Sequence, residues 1–200
     1  MSEISQETEH IAQEVMGDEA KLTPLAENLS GASRRTRQVS AAAFAIIARE
    51  KPELLVAHSA ALIDALNRPE AQTRWECLDA LTALVDLDSR ACDKAILGAE
   101  TALFDEDSGP VRLAAMRFLC RLGATTENRS EKVWPLIDEA IQCYHGDLEF
   151  QDMLVAVIAF SEGKLSDVVK KELSARMAFD AAGGKGTLGR RAAQIVNNLK

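Results

Sequence analysis

Aromatic side chains make up only 4% of this 200-residue chain, although 47% of its residues are hydrophobic. The apolar interior must therefore come from Ala, Leu, Val and Ile, which suit close helix–helix packing better than a sheet. Sustained alternation of β-branched and polar residues is missing too, so no strand is expected. Cysteine is sparse. Cys77, Cys92, Cys120 and Cys143 lie far apart without a CxxC, so the paired spacing of a zinc site is absent. They read as reduced, mostly buried thiols. Cys143 and His145 are the one near pair, but two residues apart on a helix they point to different sides. His10, His58 and His145 fall in separate segments with no nucleophile at a motif position. Neither a metal nor a cofactor is expected. No apolar run reaches the ~20 residues of a membrane span. The polar, acidic start MSEISQETEH is not a secretory signal, and the expected location is the cytoplasm. Basic residues are in deficit, with 23 Lys and Arg against 31 Asp and Glu, for a net charge of −8. That balance favours solubility and disfavours binding to phosphate backbones.

What is present is a repeat. Segments starting at Thr36, Thr73, Val111, Phe150 and Leu188 carry small or apolar residues at offsets 0, 4, 7, 8 and 11, and start 37, 38, 39 and 38 residues apart. The third copy, for example, reads Val111, Ala115, Phe118, Leu119 and Leu122. A period of this size indicates a solenoid. Each repeat splits into two helices, the first at about 18–30, 52–67, 89–105, 130–145 and 164–179, the second at about 33–49, 70–87, 109–122, 148–161 and 187–199. Ser30-Gly31 separates the first pair. Pro69 suits the first position of a helix, Pro110 stands just before another, and Asp147 and Thr187 suit N-caps. Residues 3–16 form an amphipathic segment with Ile4, Ile11, Ala12 and Val15 near one face, read as a capping helix. The whole is a single domain over 1–200, with the cap at 1–17 and repeats at about 18–50, 51–87, 88–123, 124–162 and 163–200.

The turn Asp105-Glu-Asp-Ser-Gly-Pro-Val-Arg-Leu-Ala-Ala, followed by Met-Arg-Phe-Leu-Cys-Arg-Leu-Gly123, resembles the HEAT repeat. Trp134-Pro135-Leu136 and Thr23-Pro24-Leu25 resemble the proline of HEAT first helices. A two-helix unit of this length fits HEAT better than three-helix armadillo repeats. The resemblance covers roughly 18–199 and implies an all-α, right-handed α-α superhelix of about five helix pairs. Arg37, Arg74 and Arg112 recur one residue after a repeat start, where Gln151 and Gly189 replace them later. The arginines are expected to bond the preceding turn or the neighbouring repeat.

In HEAT arrays the second helices line the concave binding face, which implies a non-enzymatic module presenting that face to a protein or peptide. Offsets 2, 6 and 9 lie opposite the core offsets. Offset 2 gives Gln38, Trp75, Leu113, Asp152 and Arg190. Offset 6 gives Ala42, Asp79, Arg117, Ala156 and Gln194. Offset 9 gives Ala45, Thr82, Cys120, Ala159 and Asn197. Trp75, Asp79, Leu113, Arg117, Asp152 and Arg190 are the candidate surface, and Trp75 with Asp79 and Arg117 is the cluster that stands out. Trp75-Glu-Cys-Leu-Asp79 also resembles the Trp-x-x-x-Asp spacing of AlkD-like DNA glycosylases. That resemblance implies an alternative in which Asp79 stabilises positive charge on a deoxyribose, Trp75 contacts the lesion, and Arg112 or Arg117 supplies the arginine. The net charge and the lack of any tryptophan after Trp134 weigh against it.

Gly183-Gly184-Lys185-Gly186-Thr187 does not fit a phosphate loop and reads as a flexible link.

Overall fold

The computed structural model describes residues 3–200, with side chains from Gln6 onward. The described residues contain helix and turn and no strand. They fall into two compact units, 1–115 and 116–200.

The first unit carries α1 (Glu3–Gly17), α2 (Leu22–Asn28), α3 (Arg34–Glu50), α4 (Ser59–Ala65), α5 (Ala71–Cys92), α6 (Ile96–Leu103) and the start of α7 (Gly109–Gly123). Short 3-10 turns at Glu19–Lys21, Pro52–His58 and Asp93–Ala95 lead into α2, α4 and α6. Each pair here is thus a three-part element, whereas two helices were expected. Its first helix is short because a 3-10 turn stands in place of the opening α-turns. α3 packs against α5, α1 against α3 and α4 against α5. α5 runs on through the expected 87/89 break, but Asp88 leaves helical geometry (φ −148°, ψ 71°) and its carboxylate accepts from the Ala91 amide at 2.9 Å. One helix ends and the next is capped at that residue.

The second unit holds the end of α7, then α8 (Glu127–Cys143), α9 (Phe150–Ser161), α10 (Asp167–Gly183) and α11 (Gly186–Asn198). α8 packs on α10, α9 on α11, and α10 on α11. Ser166 N–H donates to Ser130 Oγ at 3.1 Å and Lys164 N–H to the Ala124 carbonyl at 2.8 Å, so backbone and buried hydroxyl tie the two repeats together. Gly123 sits where a Cβ would come within 2.4 Å of Val133 and 2.8 Å of Phe160, so only glycine allows this approach.

The core offsets are buried in the second and third copies and less fully in the others, where Thr36, Ile158, Leu188, Val196 and Leu199 are half-buried. Cys77, Ala80, Leu81 and Leu84 are buried, as are all five residues of the third copy. Phe44, Phe118, Phe150 and Phe160 are the largest fully buried side chains, each worth roughly 1.5–3 kcal/mol in transfer from water. In the capping helix Ala12 and Val15 are buried with Met16; Ile4 lies outside the residues whose side chains are described.

Several local expectations are corrected. Pro69 stands two residues before α5 starts at Ala71, because Glu70 occupies the extended N-cap position. Asp147 caps nothing: α9 begins at Phe150 after a turn through Gly146, whose φ of +96° suits glycine. Thr187 lies inside the first turn of α11, which Lys185 precedes at the cap. Hydroxyl caps are instead supplied by Ser33, Ser108, Thr126 and Ser166, which receive the amides of Thr36, Val111, Arg129 and Val169. Gly183–Thr187 is no slack link: a Cβ on Gly189 would lie 2.1 Å from the Gly184 carbonyl, so paired glycines let α10 and α11 close on each other.

Candidate functional site

The recurrent arginines resolve first. Arg37 donates from Nη1 to the carbonyls of Gly31 and Ala32 at 2.7 and 3.0 Å, and its Nε and Nη2 grip both oxygens of Glu70 in the next repeat. Glu70 is nearly closed to solvent, and the bonds from Arg37 hold its carboxyl below the usual carboxylate range. Arg74 pairs with Asp105 at 2.7 Å, again one repeat on. Arg112 reaches back to the Asp105 carbonyl at 2.9 Å. In the second unit Arg191 takes a similar part, donating to the Gln151 carbonyl and, at 3.1 Å, to its side chain. These contacts join a turn to the next repeat and fix register. Arg112 is bound to its own turn rather than held out to a ligand.

Trp75 and Asp79 occupy successive turns of α5, both half-buried, with Glu76 between them. The Trp75 side chain is hydrogen-bonded to the Glu76 carboxylate. Burial pushes the Glu76 carboxyl up, and the like charge of Asp79 adds to it; the Trp75 bond and the Arg49 charge act in the opposite direction. Glu76 was not picked out from sequence, because offset 3 belongs neither to the core pattern nor to its opposite. Arg49, on α3, is exposed, and its Nε donates to the Ala45 carbonyl at 3.1 Å. An indole edge and two carboxylates thus share one half-buried stretch of α5, an arrangement suited to a cationic side chain.

Leu113 is half-buried on α7. Arg117, Asp152 and Arg190 belong to the second unit and are exposed, and the Arg190 guanidinium donates to Thr187 Oγ1 at 3.1 Å. Offset 9 is corrected: Ala45 and Cys120 are buried, and so is Ala156 at offset 6, because small side chains let neighbouring helices close over them.

Among the other hollows are two of note. One, of about 410 Å³ in the first unit, is lined by Ile11, Val15, Leu25 and Val39, with the ion pairs Glu7–Arg35 (2.8 Å) and Glu14–Lys21 among its lining residues. The other lies between α8 and α10. Among the described residues no group of three or more His, Cys, Asp and Glu is placed to hold a metal ion, and no helix is long and apolar enough to cross a membrane.

No family model matches the chain, and no curated protein matches it. Solved structures do. A computationally designed armadillo repeat protein for modular peptide recognition superposes with a TM-score of 0.78 at 14% identity, over 98% of this chain and 92% of its own. The fold is that of an armadillo-type helical repeat. The designed armadillo repeat protein YIII(Dq)4CqI gives 0.76 at 16% identity, over 98% and 90%. A designed armadillo repeat protein in complex with the peptide (KR)4 gives 0.76 at 17% identity, over the same shares. At such identities the likeness concerns the fold alone.

Proposed function

We propose that the chain is a non-enzymatic repeat scaffold, one HEAT- or armadillo-like array over residues 18–199. The second helices of its first unit present a surface to an extended, basic stretch of a partner protein. The observation that carries this reading is the half-buried Trp75-Glu76-Asp79 face, in which burial and a like charge keep one carboxyl raised. A lysine or arginine side chain brought to that face offsets the repulsion between the two carboxylates and stacks on the indole. The net charge of −8 points the same way by drawing cationic partners. That a fold neighbour is in complex with a (KR)4 peptide supports the chemistry by analogy.

Capture from a lysate with the native chain, Trp75→Ala and Asp79→Lys tests the surface. The reading expects partners retained by the native chain to be lost from both variants. Recovery of the same partners by all three proteins would remove this face as the site.

A further inference from the structure

The second unit exposes an apolar row that its own fold leaves uncovered. On α10, Phe179 is 85% and Val168 58% exposed. Ala175 and Ala182 are exposed on the same stripe, at the i, i+4, i+7 spacing of one helix face. Beside them lies a hollow of about 460 Å³ lined by Trp134 and Asp138 of α8 and by Glu172, Ala175 and Arg176 of α10. The polar groups in it are satisfied within the unit: the Trp134 indole donates to Glu172, and Arg176 pairs with Asp138 at 2.6 and 3.0 Å.

We propose that this α8–α10 face pairs with the same face of a second copy of the chain, in a weak two-fold dimer anchored by Phe179. Charge selects this occupant. Glu127, Glu131 and Glu139 outnumber Lys132 on the exposed side of α8, whereas on α10 Asp167 pairs with Lys170 at 3.7 Å and Lys171 is the exposed charge left outside the pairs. A two-fold axis running along the helices lays α8 of each copy over α10 of the other, which sets acid against base. The internal pairs, 38 residues apart, fix the levels. Lys171 comes level with the Glu131–Pro135 turn of the partner, and Phe179 with the stretch from Glu139 to Gln142. The area fits a weak association. Two adjacent 17-residue helices present about 25 Å by 20 Å, or about 1,000 Å² over both copies, at the lower limit of specific interfaces.

Sedimentation equilibrium of the full chain from about 1 to about 500 µM tests this. The expected result is a monomer–dimer equilibrium that Phe179→Glu weakens at least about tenfold, with an unchanged far-UV spectrum because Phe179 touches no core. Lys171→Glu should weaken the dimer, and adding Glu131→Lys should restore it. A monomer throughout the range overturns the proposal and leaves the face to solvent or to a different protein. So does a dimer unaffected by Phe179→Glu, or a charge reversal that the second reversal does not rescue.

Discussion

Arg37 and Glu70, 33 residues apart in sequence, form a two-point ion pair that is nearly shut off from solvent and joins the head of one second helix to the cap of the next. Removing either partner strands a poorly hydrated charge, so Glu70→Gln or Arg37→Ala should cost about 2–4 kcal/mol in denaturant unfolding. The pH dependence has a definite sign. The folded Glu70 carboxyl lies below its unfolded value of 4.5, so its contribution is full above that pH and fades as pH falls through the lower, folded value. The native chain should lose this increment on acidification below about pH 4.5, and Glu70→Gln should lose correspondingly less.

Gly123 gives a second stability test. A methyl group there meets Val133 and Phe160 well inside van der Waals contact. Gly123→Ala should destabilise the chain by about 1–3 kcal/mol despite the better helix propensity of alanine. Ala at Gly17, where nothing lies within 4 Å, is the control and should be neutral or mildly stabilising.

Thiol chemistry separates the cysteines. Cys77, Cys92 and Cys120 are buried and Cys143 is exposed. Burial pushes the Cys77 and Cys120 thiols far above the ordinary range, so neither supplies thiolate at neutral pH. A thiol reagent should modify one cysteine of four rapidly in the native chain, and all four only in denaturant.

The acidic balance predicts the behaviour toward nucleic acid. With a net charge of −8, and with Arg37, Arg74 and Arg112 held in turns and ion pairs, the chain should retard neither plain nor alkylated duplex DNA in a low-salt gel shift. Retardation that strengthens with alkylation would revive a lesion-binding role for Trp75 and Asp79.

Much of the fold was legible because the second helices bury residues of unambiguous type: Phe44, Leu81 and Phe118 leave little choice of face. The first helices were less so. Pro52–His58 reads as a helix start, yet winds as a 3-10 turn, a choice set by packing rather than by composition. Small residues misled in a different way. Alanine and cysteine carry almost no signal of direction, so Ala45 and Cys120 were assigned to the surface although helices close over them. The arginine row was legible in its spacing, but Glu70 as the partner of Arg37 was not, because no local pattern links a side chain to one a repeat away. The same blindness hid Glu76, whose raised carboxyl depends on burial beside Asp79 rather than on any motif.

The central claim is that the Trp75-Glu76-Asp79 face receives a cationic segment. Calorimetric titration of the native chain with an alternating Lys-Arg octapeptide, alongside Trp75→Ala and Glu76→Gln, tests it most directly. The account predicts saturable binding that weakens as salt rises, falls about thirtyfold or more in Trp75→Ala, and weakens in Glu76→Gln even though that variant unfolds a few degrees higher at neutral pH. Equal binding by all three proteins, or no binding by the native chain at low salt, would contradict it.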